Sequence, residues 1–179
     1  NLPVTVVGMG SGIIYSTLGG THHTIEDISI ASSLPNMTVL APCDPDEMKL
    51  ATQWCAKRTK GPVYMRLGKV GEPILTKNSI DKFKFGKLRY LQKGNDVAII
   101  TYGTFMNTAL KVSKFLEDKK KKKVSVISCH TLKPLDYFGI KKMLYEHENI
   151  IVLEEHVLHG GLGMKIRNIS SIEKSKSRI

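Results

Sequence analysis

The strongest constraint on the fold is a regular alternation of two kinds of segment along the chain. Short apolar runs have the length of buried β-strands, and the segments between them place apolar residues at helical spacing. The runs that predict strands are 3–7, 37–40, 63–66, 88–91, 97–102, 124–127 and 150–153. Strands that alternate with helices in this way are typical of an α/β fold built on a largely parallel sheet.

Local start signals define the predicted helices. The clearest is 44–47, Asp-Pro-Asp-Glu, which offers an N-cap carboxylate, a proline at the first helical position and a glutamate at the third. This helix should reach about residue 57, with one face formed by Met48, Ala51, Thr52 and Cys55. Further helices are predicted to begin at Thr21, Thr104, Asp136 and the glycine run 160–163. The helix after Thr104 should bury Ala109, Val112, Phe115 and Leu116.

Composition divides the chain into two units. Gly, Pro, Lys and Asn accumulate in 71–85, which predicts a linker between a first unit, 1–70, and a second unit, 86–169. Residues 170–179 have no clear periodicity and stay unassigned. The chain opens at Asn1 almost directly on an apolar run, so we expect part of the first unit to lie upstream or on another chain.

The charge balance raises the question of a nucleic-acid partner. The chain has 27 lysines and arginines against 16 aspartates and glutamates, a net charge of +11. Such a surface could bind nucleic-acid phosphates. However, five lysines form the run 119–123, which is typical of a solvated loop, and no aromatic residues alternate with them to stack on bases. Anionic small substrates account equally well for the excess, and we do not expect a nucleic-acid partner.

Neither a membrane protein nor a disulfide-rich secreted protein is indicated. The sequence has no apolar run of about 18 residues and no charged-then-apolar leader, so we expect no membrane span and no signal peptide. The scattered Cys43, Cys55 and Cys129 lack C-x-x-C spacing and fit reduced thiols. We therefore predict a cytoplasmic protein.

A glycine-rich segment, residues 8–12, follows the first predicted strand and is called the glycine loop below. The dinucleotide fingerprint G-x-G-x-x-G would need glycine at position 13, which is Ile13. We therefore interpret the segment as a flexible loop at the carboxyl end of a strand. Ligands of open α/β sheets bind at that edge.

Two histidines, His22 and His23, follow further glycines at the predicted start of a helix. Adjacent histidines diverge, so they do not make a metal-chelating pair, which needs spacing i, i+3 or i+4. His22 would project into the cleft bordered by the loop, where imidazole can shuttle a proton or donate a hydrogen bond to an oxyanion. A capping or surface role is the alternative.

Two other places could contribute chemistry. Arg66 ends a predicted strand, where a guanidinium can bind phosphate or carboxylate, or can form an ion pair at an interface. The residues alone do not decide between these two roles of Arg66.

Glu154, Glu155 and His156 follow another strand and could form an acid–base cluster. Because consecutive side chains diverge, we favour packing at a domain interface for these three.

Six segments, in order and spacing, resemble the transketolase family. The first three are similar to its T-H-x-x-x-E-D-[IL], L-P-N-[ML]-x-V and G-P-V-Y-x-R patterns. The segments are 20–28, 34–44, 61–68, 96–103, 132–136 and 154–163, so the resemblance covers about residues 1–165.

The resemblance implies a partial pyrimidine-binding domain of the thiamine-diphosphate type, with a parallel sheet, followed by a mixed-sheet α/β transketolase C-terminal domain. It implies transfer of a two-carbon ketol unit between sugars, with a phosphorylated sugar as substrate. The leucine at position 18, where the sequence departs from the family, would also suit a nucleotide-linked sugar. His22 matches the family's catalytic histidine, and His23 would lie beside it at the substrate. Arg66 matches the arginine that binds the acceptor's phosphate.

The resemblance also implies a partner. The family uses thiamine diphosphate and a divalent metal such as Mg2+, and both the catalytic glutamate and the domain that binds diphosphate and metal should lie upstream of Asn1. We therefore expect a partner subunit or domain, a homo- or hetero-oligomer such as a dimer of such units, and no activity from this chain alone. No metal ligand is expected here, and cofactor-binding residues are not identified.

One departure from the family pattern concerns the substrate. Leu18 stands where the family carries an aspartate that hydrogen-bonds a substrate hydroxyl, and leucine cannot accept that bond. The ordinary pair of sugar substrates is therefore not implied. The nearest alternatives are deoxyxylulose-phosphate synthases, the beta chains of 2-oxoacid dehydrogenases, and a non-catalytic partner subunit of the same fold.

Overall fold

The computed structural model describes residues 1–58 and 60–179. The strands are β1 (Thr5–Gly8), β2 (Thr38–Leu40), β3 (Val63–Arg66), β4 (Arg89–Gln92), β5 (Val97–Thr101), β6 (Val124–Ser128), β7 (Thr131–Lys133) and β8 (Asn149–Leu153). The α-helices are α1 (Asp27–Ser33), α2 (Pro45–Ala56), α3 (Met106–Lys120), α4 (Tyr137–Glu146) and α5 (Leu162–Ile172). Short 3-10 turns occupy Ser16–Leu18, Gly20–His22 and Gly103–Phe105.

The strands form two four-stranded sheets within the described part of the chain. The first has the order β1-β3-β2-β7, with β7 antiparallel to its neighbour and the other pairs parallel. The second has the order β4-β6-β5-β8, with β4 antiparallel and the other pairs parallel. The predicted α/β class is confirmed, with a largely parallel first sheet and a mixed second sheet.

Strand β7 joins the two units. It follows β6 of the second sheet along the chain but pairs with β2 of the first sheet. This strand was not predicted, because Thr131–Lys133 is too short to stand out as an apolar run. One hydrophobic core therefore spans both units and includes Val39 on β2, Leu132 on β7 and Ile127 on β6.

The predicted linker, 71–85, contains no helix or strand but is packed against the first unit. The ring of Phe85 stacks on Trp54 with centroids 3.8 Å apart. The Asp44 carboxylate accepts hydrogen bonds from the backbone N–H groups of Leu75 and Thr76 at 2.8 and 2.6 Å. The linker is thus fixed by side chains of α2 and its cap.

A buried ion pair also crosses between the units. Glu47 of α2 is fully buried and accepts from Arg89 Nη1 at 3.3 Å. Its other carboxylate oxygen accepts from Cys43 N and Ser128 Oγ, both at 3.0 Å. A buried carboxylate needs such a full set of donors, because an unpaired one would lose its hydration without compensation. Sequence pattern alone did not indicate this pair.

Two predicted helix starts are confirmed by cap geometry. The side chain of Asp44 accepts from Glu47 N at the start of α2, and that of Asp136 accepts from Gly139 N at the start of α4. On α2, however, the predicted face is buried only in part: Ala51 is 1% exposed, whereas Met48 is 39% exposed.

Two other predicted starts are wrong. No helix begins at Thr21; residues 20–22 form a 3-10 turn and α1 starts at Asp27. The backbone of His23 is extended, with a φ of −85° and a ψ of 140°, so a helix that began at Thr21 would be interrupted there. Thr104 does not cap α3, because its hydroxyl donates to Glu155 instead. On α3, Phe115 is 56% exposed, so its predicted burial is also wrong.

The outer strand of the first sheet is poorly covered. In β1 and just before it, Val4, Val6 and Val7 are each about half exposed, at 49, 52 and 50%. β1 pairs with β3 along one edge, and its sheet order leaves the other edge open among the described residues. Parallel strands are normally covered on both faces. β1 therefore presents an apolar surface and an open strand edge.

Candidate functional site

The carboxyl ends of β1 and β3 lie side by side because the two strands are parallel and in register from Thr5↔Val63 to Gly8↔Arg66. Beyond the strands the two chain segments remain paired. Gly10 N donates to Gly68 O and Ser11 N donates to Leu67 O, both at 3.0 Å. The glycine loop is thus held by backbone hydrogen bonds to the segment that follows β3, rather than being the flexible loop that the sequence predicted.

A second backbone pairing brings the histidines to the same edge. Gly12 and Thr24 exchange two backbone hydrogen bonds, at 3.1 and 2.9 Å, in an isolated antiparallel bridge. The intervening segment, 13–23, contains two 3-10 turns, and His22 lies two residues before the paired Thr24. Gly12 has a φ of 69°, a conformation that favours glycine at this point of the loop.

The two histidines have different surroundings, as expected from their adjacency. His22 is exposed, and its Nδ1 lies 3.1 Å from Thr21 Oγ1. His23 is half-buried, and its Nε2 is buried without a hydrogen-bond partner among the residues that the structure describes. His22 is therefore accessible to a ligand at the surface, whereas the buried Nε2 of His23 still lacks a hydrogen-bond partner within this described part of the chain.

Arg66 is buried, with 2% of its surface exposed. Its Nε donates to Asp27 Oδ2 at 2.9 Å, and its Nη2 donates to the carbonyl oxygens of Thr24 and Glu155, both at 3.1 Å. Its guanidinium also lies 5.5 Å from the ring centroid of Tyr102. Arg66 thus joins β3, the backbone of Thr24 that pairs with the glycine loop, and the second unit.

The partner of Arg66, Asp27, was not identified as a site residue from the sequence. Its Oδ2 accepts from both Arg66 Nε and the Tyr64 hydroxyl, the latter at 2.7 Å. Burial, followed by the hydrogen bond to this carboxylate, raises the pKa of the Tyr64 phenol above its ordinary value. Asp27 Oδ1 is buried and has no partner in the described part of the chain. The sequence signal that could have pointed to Asp27 was an arginine at the end of an apolar strand, because a buried arginine needs a carboxylate nearby.

Glu154, Glu155 and His156 do not form one acid–base cluster. The Glu154 carboxylate accepts from Leu162 N and Gly163 N, at 2.7 and 2.9 Å, at the start of α5. His156 Nε2 accepts from the backbone N–H of a residue in α1, and Glu155 turns toward the glycine loop. The contacts of Glu155 and His156 with the first unit agree with the favoured interpretation of packing at a domain interface, whereas those of Glu154 lie within the second unit.

A cavity of about 290 Å³ opens at the same edge of the sheet. Met9, the chain 67–72 and the start of α2 line it, together with Thr104. Among these residues Lys69 is exposed and Asp44 is buried, and Asp44 is occupied by its backbone partners. The cavity is accordingly a mostly apolar recess beside the candidate site.

Residues 1–58 and 60–179 contain neither a metal-binding cluster nor a membrane span. No group of three or more histidine, cysteine, aspartate or glutamate side chains in this part is arranged to hold a metal ion. No helix in it is both long enough and apolar enough to cross a membrane.

The fold and the edge described above define a two-unit α/β protein with a candidate site at the carboxyl ends of parallel strands. The family model of the transketolase pyrimidine binding domain matches residues 1–70, and that of the transketolase C-terminal domain matches residues 86–174. The chain belongs to the transketolase family. Membership implies the use of thiamine diphosphate.

Several curated proteins are similar to the chain. A subunit of the apulose-4-phosphate transketolase of Phocaeicola vulgatus is 32% identical over 160 residues, which are 89% of this chain and 51% of that protein. The 1-deoxy-D-xylulose-5-phosphate synthase of Clostridium acetobutylicum is 32% identical over 166 residues, 92% of this chain and 26% of the synthase. The chain thus spans about half or about a quarter of these relatives.

Solved structures give the same result for the fold. A split gene transketolase, described as an inactive beta4 tetramer, superposes with a TM-score of 0.82 at 29% identity, over 94% of this chain and 53% of that one. A transketolase mutant from Pichia stipitis superposes with a TM-score of 0.73 at 22% identity, over 96% of this chain and 28% of that one.

Proposed function

We propose that this chain is one part of a transketolase-type enzyme that moves a two-carbon ketol unit between sugars with the help of thiamine diphosphate. The main support is that His22 is exposed and lies two residues before Thr24, which pairs with the glycine loop at the carboxyl edge of a sheet in a transketolase-family chain. A relative named as a transketolase for apulose 4-phosphate favours a phosphorylated sugar as substrate. A nucleotide-linked sugar is the alternative.

His22 is proposed to act through Nε2. When the Thr21 hydroxyl donates to Nδ1, across the observed 3.1 Å, the ring carries its proton on Nε2. Nε2 can then donate to a developing alkoxide on the substrate and take the proton back afterwards. His23, next in the chain, would contact the same substrate.

We propose that the aminopyrimidine end of the cofactor packs on apolar side chains that are exposed along the glycine loop and the turns after it. Met9, Ile13, Tyr15 and Leu18 are 65, 45, 38 and 56% exposed along the glycine loop and the turns after it. An aromatic ring can pack on such side chains. When bound, thiamine diphosphate supplies the nucleophilic carbon that accepts the two-carbon unit. We propose that Mg2+ and its ligands belong to the partner.

A partner subunit or domain is part of the proposal. The open edge and half-exposed valines of β1 offer a surface that further strands would cover. A relative named as one subunit of a transketolase, and a split gene structure described as inactive, favour an enzyme assembled from more than one chain. We propose that the diphosphate-binding part comes from such a partner and that the assembly works as an oligomer in the cytoplasm.

The test uses the full-length protein assembled with a partner that carries the diphosphate-binding domain. We expect thiamine diphosphate to bind in calorimetry and ketol transfer to proceed. His22→Ala should lower kcat by about 100-fold or more, the range of general acid–base contributions. His159→Ala, an exposed histidine of the second unit, is the matched control and should leave kcat unchanged.

Two results would contradict the proposal. If His22→Ala turns over like the control, His22 is not the acid–base residue. If the assembly does not bind thiamine diphosphate, a non-catalytic subunit is favoured instead.

The synthase relatives favour a second candidate, formation of 1-deoxy-D-xylulose 5-phosphate. Leu18 is compatible with it, since leucine cannot hydrogen-bond a sugar hydroxyl as the family aspartate does. The same assembly should be assayed for that product. Its formation in place of ketol transfer between sugars would select the second candidate.

A further inference from the structure

Glu155 belongs to the second unit, just after β8, yet its side chain reaches the first unit. Its Oε2 accepts from the Thr104 hydroxyl at 2.7 Å, and its Oε1 accepts from Ile13 N at 3.4 Å. Its backbone carbonyl accepts from Arg66 Nη2 at 3.1 Å. One residue thus contacts both the end of the glycine loop and the buried arginine of the candidate site.

The contact with the glycine loop is close. A Cβ atom added at Gly12 would lie 2.5 Å from Glu155 Oε2 and 2.8 Å from Glu155 Cβ, so one of the two residues would have to shift. Gly12 is also the residue that exchanges two backbone hydrogen bonds with Thr24. The carboxylate of Glu155 therefore packs directly against the pairing that fixes the segment 13–23.

That pairing sets the position of the histidines. His23 directly precedes Thr24, and His22 is one residue further back. Arg66 Nη2 donates to Thr24 O and also to Glu155 O. Two routes, one through Gly12 and one through Arg66, thus connect Glu155 to the backbone that presents His22.

We infer that Glu155 is a positioning residue, through which the second unit holds the glycine loop and orients His22. Thr104, just after the carboxyl end of β5, orients the Glu155 carboxylate in turn. The inference rests on the proposed function only where it treats His22 as the acid–base residue. The second unit then contributes to the chemistry without touching substrate.

Glu155→Ala in the assembled enzyme tests the inference with two readouts. Amide exchange of a peptide covering 9–24 should become about 10-fold faster, because the loop loses its support. The value of kcat should fall by about 10-fold while KM for the acceptor stays within about twofold, since misplacing a catalytic group mainly affects the chemical step. Glu155→Gln keeps an acceptor oxygen and should recover most of both losses.

Glu154→Ala is the matched control. This neighbouring carboxylate caps α5, so its removal should speed exchange near 161–163 but not in 9–24, and should leave kcat unchanged. Unchanged exchange in 9–24 for Glu155→Ala, or the same acceleration in both variants, would overturn the inference. If the parent assembly shows no turnover, the proposed function fails, whereas the exchange result still decides the role of Glu155.

Discussion

Arg66 can bind a phosphate or can form a structural ion pair, and its surroundings help to separate these two roles. Its Nε and Nη2 are engaged by Asp27 and by two backbone carbonyls, which accounts for its burial. Within the described part of the chain Nη1 makes no protein hydrogen bond, so this nitrogen is the one we propose to meet the acceptor's phosphate. A guanidinium that also organises its neighbours cannot be replaced by alanine without leaving Asp27 buried and unpaired.

Arg66→Lys is therefore the informative change. Lysine keeps the charge beside Asp27 but loses the planar fork. If Arg66 binds the phosphate, KM should rise about 10-fold for a phosphorylated acceptor and much less for an unphosphorylated one, as measured by steady-state kinetics of the assembly.

Asp27→Asn disturbs the same pair without removing a phosphate-binding group. It should affect both acceptors alike. Equal effects of Arg66→Lys on both acceptors would leave Arg66 with a structural role only.

At the scale of single elements, the sequence was informative wherever the signal was local. The caps of α2 and α4 and the strand β3 were found because each depends on a few neighbouring residues. Strand β7 and the Asp27–Arg66 pair were missed because they depend on partners far along the chain. His22 could be selected as a candidate from sequence, but the Gly12–Thr24 pairing that presents it could not.

Helix α2 shows how one local signal supports a larger region. The Asp44 carboxylate caps the helix through Glu47 N and also binds Leu75 N and Thr76 N of the linker. We expect Asp44→Ala to lower the free energy of unfolding by about 2–4 kcal/mol, from the lost cap and the unpaired linker amides. Asp46→Ala, in the same turn, should cost less than about 1 kcal/mol. Urea unfolding measures both, and equal losses would refute this role of Asp44.

For the whole molecule, the shared core implies that the two units unfold together. His130 lies in this junction, between β6 and β7, with 1% of its surface exposed. Its ring stacks on Phe83 with centroids 4.3 Å apart, and its Nδ1 lies 2.9 Å from Thr131 Oγ1. Burial, with a smaller opposing effect of Glu47, lowers the pKa of His130 below its ordinary value of 6.5.

This lowered pKa has a consequence for stability against pH. Below pH 6.5 the unfolded chain binds a proton at His130 more readily than the folded chain does. The contribution of neutral, buried His130 to the free energy of unfolding is therefore fully present above pH 6.5. It is lost as the pH falls from there through the lowered pKa of the folded state. We expect His130→Gln to flatten the slope of unfolding free energy against pH below pH 6.5. His159→Gln, an exposed control, should not, and an unchanged slope in His130→Gln would contradict the assignment.

Strand β7 leaves the first sheet dependent on chain that comes after the linker. The covalent connection at 71–85 is consequently not what keeps the two units together. A single protease cut near Gly71 should yield two pieces on a denaturing gel but one particle on a sizing column. For the same reason a gene cut at the linker would not give two independently folding products: the piece ending at residue 70 would lack the strand that completes its sheet.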